Sequence, residues 1–196
     1  GNTVTATVSL VSDPSKFVST IYTADHDLSQ GQVGIRSHHN NAMYDNFTVE
    51  YAVEETVEDM PSASIGFDNT SAFDLYSTSD GGFQAVSGKL TPSGNPGEFK
   101  AIYKETGKVN SVSVELHPHG NDGPIFGGLY IGASDASNDQ DGINALYLGI
   151  ESHFVATEEW TDAPNRVDLV IGQFPAWVEH SRVVSETGNH NNLFTG

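Results

Sequence analysis

The chain has 196 residues, with 26 Asp and Glu against 8 Lys and Arg and no cysteine. A net charge of −18 repels phosphate backbones and anionic lipid, so nucleic-acid and membrane-surface partners are not expected. The missing thiol rules out disulfides, Cys-based zinc sites and a thiol nucleophile.

No apolar run approaches the roughly 20 residues that span a bilayer. Twenty glycines and many Asn, Asp, Ser and Thr residues favour tight turns and an all-β fold. The first run, "TVTATVSLV", puts Val4, Ala6, Val8 and Leu10 on one face and Thr or Ser on the other, the alternation of a half-buried strand. "FVSTIYT" follows the turn "SDPSK", and "QVGIRS" and "YDNFTVEY" form a pair around a polar, histidine-rich bend. "VEETVEDMPSAS" is acidic, lacks periodicity and is stopped by Pro61, so it reads as a linker. Short β-like runs then continue to the "WVEHSRVVSE" segment, most of them bounded by Gly, Pro, Asn or Asp. With the earlier runs they make about thirteen strands, the count and spacing of a two-sheet antiparallel sandwich.

From residue 61 the order "FD", "GGFQAVSGKLTPSG", "EFKAIYKE" and then long strands ending in "NRVDLVIGQF" resembles the start and middle of concanavalin A-like (laminin G-like) jelly-roll domains. Residues 1–51, from "GNTVTATVSL" to "GQVGIRSHHNNAMYDNFTVEY", resemble the end of the same domain, an ending shared with fructan-binding modules and 3-keto-disaccharide hydrolase-type domains. The two parts stand in swapped order. A circularly permuted sandwich over 1–196 fits, with family C-terminal strands in 1–52, a linker at 53–62 and the N-terminal and middle strands in 63–196. A cut across two tandem modules fits as well. The single sandwich is favoured, because two half-sandwiches would each expose an apolar face and unpaired edges.

The paired-carboxylate strand of jelly-roll glucanases, the alginate-lyase motifs, G-x-S-x-G, H-E-x-x-H, the P-loop and the dinucleotide fingerprint are all missing. Sugar recognition needs an aromatic platform beside polar groups that read hydroxyls. The two tryptophans, Trp160 and Trp177, stand in polar or proline-containing segments suited to a rim, and His38, Asn40 and Asn41 of the bend supply polar contacts. Tyr130 and Tyr147 sit in apolar strands and read as core. His117 and His119 share a face of an extended segment, the spacing of a two-His metal pair. The resemblance implies a structural Ca²⁺ where first and last family strands meet, held by Asp45 of "YDN" and Asp68 of "FDN".

The expectation is a non-catalytic carbohydrate-binding module of an extracellular or cell-surface bacterial protein, part of a larger glycoside hydrolase or adhesin that takes neutral glycans. One alternative is a hydrolase of the 3-keto-disaccharide type, with Glu115, His117, Glu151 or His153 as acid and base. The other is a calcium-stiffened spacer.

Overall fold

The computed structural model describes residues 1–9, 11, 13–28, 31–39, 42–51, 62–118, 125–139, 142–153 and 166–184. Among them are fourteen strands and no helix. In chain order these are β1 (Thr3–Ser9), β2 (Phe17–Thr23), β3 (Gln32–His38), β4 (Ala42–Tyr51), β5 (Ala63–Ile65), β6 (Phe73–Ser77) and β7 (Gly81–Val86). They continue with β8 (Lys89–Gly94), β9 (Glu98–Tyr103), β10 (Val109–Pro118), β11 (Ile125–Ser134), β12 (Asn144–His153), β13 (Arg166–Phe174) and β14 (Val178–Val184). Among the described residues no helix is long and apolar enough to cross a membrane.

The protein is an all-β, antiparallel two-layer sandwich. One layer is a seven-stranded sheet, β14-β13-β12-β11-β3-β9-β6. Facing it are a five-stranded sheet, β10-β4-β8-β7 with β5 on β4, and the separate hairpin β1-β2. Strand alternation sorts the side chains. Tyr44, Phe47 and Val49 of β4 meet Val33 and Ile35 of β3 and Phe99 and Ala101 of β9 in the main core. Fully buried rings such as Phe47 and Phe99 each stabilise it by about 1.5–3 kcal/mol relative to exposure. Of the expected inward face of the first run, Val4, Ala6 and Val8 pack over Ile131, Leu146 and Leu169, and Leu10 lies outside the described residues.

The expected linker lies, except for Ser62, outside the described residues. On its far side β5 pairs with β4, Phe47 opposite Ile65 and Val49 opposite Ala63, so 42–51 and the segment after the linker are neighbours. The stretch "GGFQAVSGKLTPSG" is a hairpin, β7 paired with β8. Val86 pairs with Lys89, and the two loop residues Ser87 and Gly88 have φ of 52° and 78°. Positive φ at both positions is the signature of a type I′ turn, where asparagine tolerates the first position better than serine. Ser87→Asn should therefore raise stability by about 0.5 kcal/mol, or roughly 1–2 °C in a thermal melt. A lowered melting temperature would contradict this turn geometry.

Candidate functional site

The seven-stranded sheet has a second face, turned away from the main core. Register brings Arg36 and His38 of β3 beside Lys100 and Glu98 of β9, and Gly128 and Phe126 of β11 on the other side. The same face continues through Tyr147 and Glu151 of β12 to Gly172 and Asp168 of β13. An apolar cluster of its own forms there from Ile102, Tyr130, Ile143, Tyr147 and Phe174. Tyr130 and Tyr147 are fully buried, as expected, but in this outer cluster rather than between the layers.

Glu98 stands at the centre of a polar network inside that cluster. Its side chain is 1 % exposed. Arg36 forks onto it, Nε donating to Oε1 and Nη2 to Oε2 at 2.9 Å. The His38 ring (Nδ1) is 3.0 Å from Oε2, and the Tyr130 hydroxyl donates to Oε1 at 3.1 Å. The guanidinium carbon of Arg36 also lies 4.7 Å from the Tyr147 ring centre and 5.1 Å from that of Phe174, within cation–π range. Burial alone would raise the Glu98 carboxyl, but the hydrogen bond from His38 and the charge and hydrogen bonds of Arg36 outweigh it and hold the group below its ordinary range. Burial pushes the Tyr147 hydroxyl up to about 12, with Arg36 opposing. Lys100, also buried, donates to the carbonyls of Ser137 and Asp139.

Trp177 lies in the turn between β13 and β14 and is 40 % exposed. Its ring is laid over Gly172, where an added Cβ would fall 2.3 Å from the indole. Phe174 and Tyr147 brace it at ring-centre distances of 5.3 and 5.9 Å. Gly172 pairs with Glu179 of β14, which is clamped by Arg182 through Nη2 at 2.7 Å and Nε at 3.0 Å. Arg182 also reaches Glu151 at 2.7 Å and the buried Asp168 at 2.6 Å. Glu151 and Asp168 sit directly opposite each other on β12 and β13 and share this one cation.

Of the sequence-derived sugar contacts, Trp177 is half-exposed and His38 is partly buried against Glu98. They occupy the same sheet face, but β3 and β13 are three strand spacings apart, about 14 Å. Trp177 follows the end of β13, whereas His38 ends β3 at the opposite edge of the register, so only an extended ligand would touch both. Trp160, Asn40, Asn41 and His119 lie outside the described residues. His153 ends β12.

On the outer face of the five-stranded sheet, Asp45 of β4 is paired with Glu115 of β10. Ligand-type atoms of Asp45, Glu115 and His117 all lie within 4.8 Å of one another. Lys89 enters the same group, its Nζ 2.6 Å from Asp45 and 3.3 Å from the His117 ring. The hydrogen bond from Lys89 leads the effects that hold the Asp45 carboxyl below its usual range. A cation at Asp45 would compete with this ammonium. Asp68 is exposed and is not part of the group.

No pattern of the sequence alone marked Arg36, Glu98 or Arg182. The one available signal was charge inside strands whose other residues are apolar, as in "EFKAIY". No protein-family model matches the chain, and no match to it was found among curated proteins or among solved structures.

Proposed function

We propose that the protein is a non-catalytic carbohydrate-binding module with Trp177 as its platform. The observation that carries this reading is the half-exposed indole seated on Gly172 and braced by Phe174 and Tyr147, with the Glu179–Arg182 pair on the next strand. Pyranose C–H faces pack on such a ring, and a fixed carboxylate and guanidinium beside it read hydroxyls. Braced side chains lose little further freedom on binding, which favours affinity. The resemblance of the sequence to concanavalin A-like glycan modules supports the same reading, and the proposal includes a larger extracellular or cell-surface bacterial assembly. Binding without turnover fits the carboxylates best, because Glu151, Asp168 and Glu179 are all tied by ion pairs to the one guanidinium of Arg182.

The test is a glycan array of neutral oligo- and polysaccharides, run with Ca²⁺ and with EDTA. Retention of at least one neutral glycan is expected. Retention that EDTA abolishes would add a bound calcium to the binding state. Absence of binding to every neutral glycan in both conditions overturns the reading, and release of a cleaved sugar replaces it with catalysis.

A further inference from the structure

The layer facing the seven-stranded sheet is interrupted. Among the described residues β1 pairs only with β2, and β10 ends the five-stranded sheet with β4 as its one partner. Between the two lies a crevice of about 430 Å³. Thr3, Val4 and Thr5 of β1 line one side and Lys108 to Val112 the other, while no residue of β2 or β4 takes part. Among the described residues each wall is therefore the open edge of a strand. An open edge carries a row of backbone donors and acceptors without strand partners.

The floor is apolar, formed by Leu28, Ile131 and Leu148. The walls alternate as strands of this layer do, with Val4 and Val112 toward the floor and Thr3, Thr5 and Ser111 toward solvent. Among the described residues no carboxylate lines the crevice, although acids outnumber bases by 26 to 8 in the chain. Lys108 at the rim is exposed, and no described acid forms an ion pair with it.

We propose that the crevice between β1 and β10 is a receptor slot for one extended peptide strand, which joins both open edges and places an acidic residue against Lys108. The occupant has apolar side chains at alternate positions, which rest on Ile131 and Leu148, and polar ones between them. Main-chain hydrogen bonds to both walls supply affinity, and the alternating side chains with the acid at Lys108 supply direction and specificity. Lys108 is a local positive charge at one end of the slot, which favours an acidic over a basic residue at that end of the strand. This site is independent of Trp177.

The probe is a fluorescein-labelled synthetic peptide of about eight residues, alternating valine and threonine with one terminal glutamate, titrated by fluorescence anisotropy against the whole chain. Saturable binding is expected. Two further peptides carry N-methyl groups on one or the other alternate set of residues. Because a bridging strand uses both sets of N–H groups, each methylation should weaken binding at least about tenfold. Sensitivity of only one set would mean addition to a single edge, and insensitivity of both would mean an apolar pocket without strand pairing; either overturns the proposal. Lys108→Glu, at an exposed position that leaves the core untouched, should weaken the glutamate peptide about tenfold and favour a lysine-ended one. No binding by the wild-type chain, or self-association that the peptide leaves unchanged in sedimentation, also overturns it.

Discussion

Replacing Glu98 by alanine should destabilise the protein by about 3–5 kcal/mol in urea denaturation, because it strands the Arg36 guanidinium in a buried site. Arg36 is only 12 % exposed, and beyond Glu98 it faces the rings of Tyr147 and Phe174, which attract a cation but do not neutralise it. His38 and Tyr130 would lose their shared acceptor at the same time. Arg36→Met should cost a similar amount for the opposite reason, leaving a carboxylate to be protonated. The double variant Arg36→Met with Glu98→Leu removes both charges together, so its loss should be smaller than the sum of the two single losses. Single losses under about 1 kcal/mol would be incompatible with a buried pair.

The same network sets a direction with pH. Glu98 is held below its ordinary range when folded, so its contribution is fully present above the unfolded carboxylate range near 4.5. It is lost as pH falls from there through the lowered folded value. Because other acids titrate in the same window, the diagnostic quantity is a difference. The stability gap between wild type and Glu98→Gln should be widest at neutral pH and shrink on acidification below about 4.5. A gap that is flat or widens toward low pH would contradict the assigned direction.

The Glu98 strand shows where sequence reading works and where it stops. In "TVTATVS" alternation alone placed Val4, Ala6 and Val8 inward, because a period of two and one apolar face define a strand with one buried side. In "EFKAIY" the same rule assigns Phe99, Ala101 and Tyr103 to the core and treats Glu98 and Lys100 as solvent-facing. In the structure both faces are buried. The difference is non-local. Arg36 comes from β3, Tyr130 from β11, and the carbonyls that receive Lys100 come from residues 137 and 139. Charges become buriable only when such partners converge, and no window of sequence contains them.

Asp45 makes the same point from the opposite side. Alternation counted back from Val49 and Phe47 would turn it inward. The irregularity at Asn46, whose φ is 48°, resets the phase of β4 and puts it on the outer face, and its companions were set by sheet register. Strand pairing across more than 60 residues delivers Glu115 and His117, and Lys89 arrives from β8. Trp177 lies between these cases. The proline two positions before it suggested a rim, whereas its seat on Gly172 and its bracing by Tyr147 depend on how β12 and β13 pair.

Trp177→Ala should weaken binding of any glycan the protein retains by on the order of a hundredfold, which corresponds to about 2.7 kcal/mol. Because the indole is 40 % exposed, the same change should cost folding stability only about 1–2 kcal/mol, so a folded variant remains for the assay. Gly172→Ala separates the ring's presence from its placement. The added methyl would lie 2.3 Å from the indole, so the ring must leave its seat while remaining in the chain. If orientation matters, Gly172→Ala loses most of the affinity that Trp177→Ala loses. In a Trp160→Phe background the emission of Trp177 then shifts to the red as the ring enters water, and the two readouts should move together. Wild-type affinity in Trp177→Ala would remove this tryptophan from the site. Lost affinity in Trp177→Ala with full affinity in Gly172→Ala would show that the ring binds without being held where the structure holds it.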